Sequence, residues 1–270
     1  DGGKNISEIT SLYAEAGYNF LFATDHMVAS DVEKTSIQSP ILWLDGIEID
    51  GRDDTGAVYH TVCLGKTAGI TREMTFIQAL NSAREQSAIL VLAHPYWSGN
   101  TLEDACRWQF HGVEVYNHVC HWLNGKSNGG VHRDAMLKLN PDLLAFSVDD
   151  AHLRPEHPGW NGGWIVANVT EFSQEAILTA IRRGNFFSSC GPEFKAMDFD
   201  GENIHITVSP VQFIRLVGPA YFGQRMGSFD GKLLTQASMK IPPEWDYVYM
   251  EIEDRNGHRA WTNTLFMTEK

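Results

Sequence analysis

The sequence predicts an α/β fold: a distorted parallel β/α barrel over residues 1–190, followed by a small antiparallel β-sandwich over residues 191–270. Two observations carry this expectation. Six short apolar runs, at residues 19–26, 41–48, 58–65, 88–95, 112–117 and 143–152, each carry or end on a carboxylate or an imidazole. Beyond Gly191-Pro192 the texture changes to short segments of period-2 alternation separated by Gly, Pro and Asn. Continuous apolar runs between turn residues read as buried parallel strands, and in a barrel of such strands polar side chains collect at the C-terminal ends.

The helices follow from spacing. Residues 7–16 carry Ile9, Leu12, Tyr13 and Ala16 on one helical face and stop at Gly17. Residues 75–86 do the same with Phe76, Ala79, Leu80 and Ala83, and residues 173–183 with Ala176, Ile177, Ala180 and Ile181, ending at Gly184. Alternating elements of this length imply a parallel sheet joined by crossovers. In the C-terminal part, residues 204–208, 212–217, 236–241 and 247–252 alternate as half-buried strands, and Asp254-Arg-Asn-Gly257 is a hairpin turn.

Composition narrows the function. Asp and Glu outnumber Lys and Arg 34 to 21, giving a formal net charge of −13 with no basic cluster, which argues against a nucleic acid duplex as partner. The four cysteines are scattered without a C-x-x-C pair and read as free thiols. Cys120 stands between His118 and His121, as either a buried thiol or a soft ligand. No run reaches the ~18 apolar residues of a membrane span. Asn5-Ile-Ser7 and Asn168-Val-Thr170 match the short glycosylation pattern, but nothing else argues for secretion, and the expected compartment is the cytoplasm. His118, His121, Trp122 and Lys126 lie in a polar loop, either lining a pocket mouth or simply solvated.

Imidazoles and carboxylates gathered at strand ends suit divalent metals of the zinc, manganese or iron type, because one shared metal satisfies several polar groups that would otherwise be costly near a core. The chain reads as a metallohydrolase.

With Thr24-Asp25-His26, Gly46-Ile-Glu48, Ala93-His94-Pro95 and Asp149-Asp150-Ala-His152 in this order, the first ~190 residues resemble the polymerase and histidinol phosphatase (PHP) family of metal-dependent phosphoesterases, which have T-D-H, G-x-E, H-P and S-D-x-H motifs. Asp149 replaces the usual small residue. Gly191-Pro192-Glu193 and Ala260-Trp-Thr-Asn263 resemble the subset with a C-terminal β domain. The resemblance implies a (β/α)7-type barrel, two or three divalent ions, and a small phosphate ester as substrate. It implies His26, Glu48, His60, His94, Asp150 and His152 as metal ligands, with Asp1 a further one. Glu48 would bridge the metals, and His152 or His157 would protonate the leaving alkoxide. Asn117 would reach substrate, Glu114 would be structural, and Asp25 and Asp149 would orient imidazoles. The family begins with H-x-H ahead of a Ser-Asp-Gly turn, which Asp1-Gly2-Gly3 resembles. The expectation is that the first strand and its two histidines precede residue 1, so that residues 1–270 alone hold fewer than ~3 metals, or none. The alternatives are an amidohydrolase-like C–N hydrolase and a binding protein with a degenerate, inert barrel.

Overall fold

The computed structural model describes residues 2–32 and 39–265. In chain order the strands are β1 (Phe20–Ala23), β2 (Leu42–Arg52), β3 (Val58–Leu64), β4 (Ile89–Leu92), β5 (Gly112–Asn117), β6 (Leu144–Val148), β7 (Trp164–Ala167), β8 (Phe186–Ser189), β9 (Phe194–Phe199), β10 (Asn203–Val211), β11 (Phe213–Val217), β12 (Gly223–Gly227), β13 (Leu234–Lys240), β14 (Tyr249–Glu253) and β15 (Arg259–Thr262). The helices are α1 (Ile6–Glu15), α2 (Phe76–Glu85), α3 (Pro95–Ser98), α4 (Leu102–Arg107), α5 (His118–Asn124), α6 (Gly130–Leu137) and α7 (Gln174–Arg182). Asn5 and Thr75 close capping boxes on α1 and α2, and Ser173 caps α7, satisfying amide groups that the first helical turn leaves unpaired. Among the described residues no helix is long and apolar enough to cross a membrane.

The first sheet has the order β1-β2-β3-β4-β5-β6. It departs from the expected all-parallel (β/α)7 barrel. β1–β2, β4–β5 and β5–β6 pair in parallel, but β3 runs antiparallel to both its neighbours. The reason is connection length. Only residues 53–57 separate β2 from β3, whereas a parallel crossover needs about a dozen residues. The Asp53 carboxylate ties this turn by accepting from the amides of Thr55 and Ala57. β7 also leaves the barrel order, pairing antiparallel with β8.

The remaining strands form two antiparallel sheets, β13-β10-β9 and β12-β11-β14-β15-β8-β7, with an apolar layer between them that includes Ile206, Val208, Ile214, Leu216, Met239 and Met250. This is the sandwich expected from the alternating segments, with the hairpin turn at Asp254 closed by its amide donating to His258 O. The larger sheet runs through the expected boundary at residues 190/191, because β15 pairs with β8.

No ladder joins β6 to β8. Serine hydroxyls do it instead: Ser188 Oγ accepts from Ser147 N and donates to Ala145 O, and Ser147 Oγ donates to Ser189 O, all buried. Asn263 adds a second bridge, accepting from Ala145 N and donating to Gly184 O and Phe186 O. The fully buried Arg133 stacks over Tyr249 at 3.7 Å and donates to Thr262 O, fixing α6 against the C-terminal strands. Because Asn263→Ala removes the partner of one buried amide, one buried carbonyl and one part-buried carbonyl, it is expected to destabilise the fold by about 2–4 kcal/mol. Urea unfolding should show a lower midpoint at an unchanged m-value.

Candidate metal centre

The two faces of the first sheet differ. Ile47, Ile49, Cys63, Leu90, Leu92, Val113 and Val115 belong to one core, which α2 packs against. Phe22, Leu44, Val62, Val91, Phe146 and Val148 belong to the other. Side chains on a strand alternate with period 2, so the second face continues from Leu44 to Glu48, from Val62 back to His60, and from Phe146 to Asp150. The same apolar face becomes polar at one end.

β1 and β2 keep their parallel register past the strand end, so that His26 stands beside Glu48. His60 lies near the start of β3, yet the reversed direction of that strand brings it to the same end. His94 follows the end of β4, and its backbone at φ 26°, ψ 57° turns the side chain inward. Met27, Asp150 and Leu153 also hold positive φ next to or at site residues. Such conformations cost non-glycine residues of order 1–3 kcal/mol each and cluster at functional sites.

Glu48 is the centre of the group. Its Oε1 lies 2.7 Å from His60 Nδ1 and 3.4 Å from His94 Nε2, and its Oε2 lies 3.8 Å from His26 Nε2. His26, Glu48 and His60 offer ligand atoms that all lie within 4.8 Å of one another. Ligand atoms about 2.1 Å from one tetrahedral ion stand about 3.4 Å apart, and these separations bracket that value. Asp150 Oδ2 is 3.9 Å from His94 Nε2, and the His152 ring lies 6.4 Å from that of His26. A mixed imidazole and carboxylate set of this kind fits a divalent ion of the zinc, manganese or iron type.

Outer partners orient these groups. Asp50 Oδ1 meets His26 Nδ1 at 3.2 Å and Ser98 Oγ meets His94 Nδ1 at 3.0 Å. The Asp150 carbonyl meets His152 Nδ1 at 2.9 Å. A carbonyl only accepts, so His152 Nδ1 carries a proton and donates in this contact. Behind the site, Glu114 accepts from His94 N and from Asn117 Nδ2, and Asn117 also reaches Asp150 Oδ2 at 3.2 Å.

Burial would raise the Glu48 pKa, but hydrogen bonds from His60 and His94 and the charges of His94 and His26 reverse the sign and hold it well below the usual carboxylate range. Burial would lower His94; the hydrogen bond to Glu48 and the charges of Glu114, Asp150 and Glu48 outweigh it and raise His94 to about 9. Glu114, fully enclosed, is pushed up to about 7 chiefly by burial, and Asp150 is raised by burial and by the Glu48 charge.

The structure therefore brings His26, Glu48, His60, His94, Asp150 and His152 to one end of the sheet. The His157 ring lies 5.7 Å from that of His152, tilted by 50°, with its Nδ1 buried and lacking a hydrogen-bond partner. Asp1 lies outside the described residues. Asp25 lines the adjoining cavity and its carbonyl accepts from Glu48 N. Asp149 departs from its expected role: its oxygens are taken up by Tyr13 Oη and the amides of Asn161, Gly162 and Gly163. It clamps the 161–163 turn, and imidazole orientation falls to Asp50, Ser98 and the Asp150 carbonyl. A Cβ on Gly162 would collide with the His118 ring, so this turn passes where only glycine fits.

Asp50 and Ser98 were not singled out in the sequence, though both carry a signal. Asp50 is two residues from Glu48 on one strand face, and Ser98 is one helical turn after His94. Of the loop residues, His118 stacks with His121 and meets Tyr116 Oη at 3.2 Å, Lys126 sits over Tyr96, and Trp122 donates to Glu156 O. Cys120 is buried, and burial pushes its thiol pKa up, away from the thiolate a metal would need.

A cavity of about 870 Å³ adjoins the centre. It is lined by β1 and β7, by Val62, Val91 and Phe146, and at its polar end by Glu48, Asp150 and His152. β1 and β7 are each the outermost strand of their sheet. All four residues of β1 are apolar yet only half-buried.

No family model matches this chain, and no curated protein matches it. Among solved structures, the chain is similar to a two-domain protein from Bacteroides vulgatus ATCC 8482 containing a predicted PHP-like metal-dependent phosphoesterase, at 15% identity over 92% of this chain and 87% of that one, with a TM-score of 0.47.

A metal takes only neutral imidazole, and metal-free His94, at about 9, is protonated near neutrality. Loading zinc or manganese is expected to release protons, with apparent affinity rising as pH rises toward 9. The raised pKa also means that the His94–Glu48 pair stabilises the metal-free fold fully below the unfolded value near 6.5, and that this contribution fades as pH climbs through about 9. Calorimetry in buffers of differing ionisation heat reads the release. Metal uptake without proton release at neutral pH would remove His94 from the ligand set.

Proposed function

We propose that this protein is a metal-dependent phosphoesterase of the PHP type that hydrolyses a small phosphate ester. The observation that carries the reading is the buried Glu48 carboxylate, met by imidazoles from three different strand regions at ligand-to-ligand distances. His26, Glu48, His60, His94, Asp150 and His152 are the residues that would hold two or three divalent ions. When bound, such ions polarise phosphoryl oxygens and bring the pKa of water toward ~7.

The chain's own groups do the rest. Glu48 stays ionised because its imidazole partners hold its pKa down, so it presents full negative charge to cations at neutral pH. Asp50 and Ser98 fix the ring planes of His26 and His94. The Asp150 carbonyl fixes the His152 ring through Nδ1, and His157, whose ring lies 5.7 Å from that of His152, would serve as a proton source for the leaving alkoxide. Asn117, buried and with its amide group donating to both Glu114 and Asp150 while its oxygen accepts from Cys120 N, positions the Asp150 carboxylate and does not take the substrate contact expected of it.

Glu48→Gln and Asp150→Asn are each expected to lower phosphoesterase kcat/KM by more than the ~10- to 100-fold that loss of an outer hydrogen-bond partner costs, with the chain still folded at the assay temperature and the thermal midpoint of Glu48→Gln lowered by loss of the charged His94–Glu48 pair. A Gln variant as active as the parent would remove Glu48 from the chemistry and sink the reading.

A further inference from the structure

The centre is rich in carboxylates: Glu48, Asp50, Glu114 and Asp150 all lie at one end of the sheet, on a protein of formal net charge −13. An anionic substrate approaching this end meets a repulsive field until it reaches the metals. Arg72 stands on that rim. It lies in the connection between β3 and α2, and its Nη2 donates to the main-chain carbonyl of His26 at 3.1 Å. Its Nη1 is 3.9 Å from Asp50 Oδ1, the same oxygen that meets His26 Nδ1.

Two contacts on one edge leave much of the guanidinium unused. The group has five N–H donors in a fixed fork, and the side chain is 64% exposed. At 3.9 Å and that exposure, the pairing with Asp50 is worth little. What the contacts do achieve is placement: a carbonyl and a carboxylate beside one imidazole hold a planar cation against the mouth of the centre, with its outer edge facing solvent. A guanidinium fork matches two oxygens of a phosphoryl group.

Resting on the phosphoesterase reading above, we propose that Arg72 is the substrate-binding residue that grips the phosphoryl group from outside the metal centre, using the guanidinium edge not engaged by His26 O and Asp50. It follows that a terminal phosphoryl group, whose three unesterified oxygens would leave two for the fork when one faces the metal centre, is preferred over a diester, whose two unesterified oxygens the centre and the fork would have to share.

The test uses the full-length, metal-loaded protein with an aryl phosphate monoester as substrate and inorganic phosphate as competitive inhibitor. Arg72→Ala is expected to raise both KM and the phosphate inhibition constant on the order of 10- to 100-fold, with kcat changed by a few-fold at most. Arg72→Lys should recover part of the loss, since it restores charge without the fork. Metal content and thermal midpoint should match the parent. If the parent hydrolyses the ester and Arg72→Ala leaves phosphate affinity unchanged, the assignment of Arg72 is wrong and the phosphoesterase reading stands. If Arg72→Ala instead loses metal or unfolds at lower temperature, and Arg72→Lys does not regain phosphate affinity, Arg72 only braces the turn at His26. If the loaded parent neither binds phosphate nor hydrolyses the ester, the phosphoesterase reading fails and this inference falls with it.

Discussion

The arrangement depends on one buried charge. Glu48 sits in the middle of an eleven-residue strand with its side chain 6% exposed, where an unpaired carboxylate would cost several kcal/mol. Imidazoles from the segment after β1, from β3 and from the segment after β4 offset that cost together. Each must come from its own strand at the correct register, and a slip of one residue would turn Glu48 into the opposite core among Ile47 and Ile49. The charge therefore acts as a register lock for four neighbouring strands. A site so built cannot be weakened at one ligand without disturbing the pairing that supplies the others.

The mixed direction of the sheet serves the same centre. A parallel third strand would have placed His60 at the far end of the sheet, because it is the third residue of its strand. The five-residue turn after β2 reverses the chain and brings the start of β3 to the site. The consequence appears elsewhere, since a sheet with an antiparallel member and only six strands does not close by ladder bonds. Ser147, Ser188 and Asn263 take over on the β6 side, giving buried amides and carbonyls the partners they require. On the β1 side no such substitutes are present among the described residues, and the apolar cavity lies there.

Much of this was legible in the sequence because the decisive features are local. The helices at residues 6–15, 76–85 and 174–182 follow from apolar spacing and cap residues, and the strand-end polar groups from the interruption of apolar runs. The direction of β3 was legible too, in the shortness of the connection, but the apolar run by itself reads the same in either direction. The pairing of β8 with β15 joins residues about 70 apart and leaves no periodic trace, so the division near residue 190 followed a change of texture that the sheet ignores. Asp149 illustrates the limit most clearly. Beside Asp150 and His152 it reads as part of the site, while its real partners, Tyr13 and the 161–163 amides, come from a helix and a turn that spacing cannot place beside it.

The backbone at Met27, His94, Asp150 and Leu153 shows what this placement costs. Each holds a positive φ that a non-glycine residue adopts at a penalty of order 1–3 kcal/mol, and each is a site residue or the neighbour of one. The strain turns the chain sharply at the strand ends, so that polar groups project over the apolar face instead of continuing past it. Hydrogen bonds such as that from the His94 amide to Glu114 and that from His152 to the Asp150 carbonyl hold these turns in place. A bound ion would add its free energy to the native state alone and so act as a stabiliser of the strained form. The geometry thus couples ligand placement to folding: the same turns that aim the imidazoles carry the strain that a bound ion would offset, and occupancy and stability should rise and fall together.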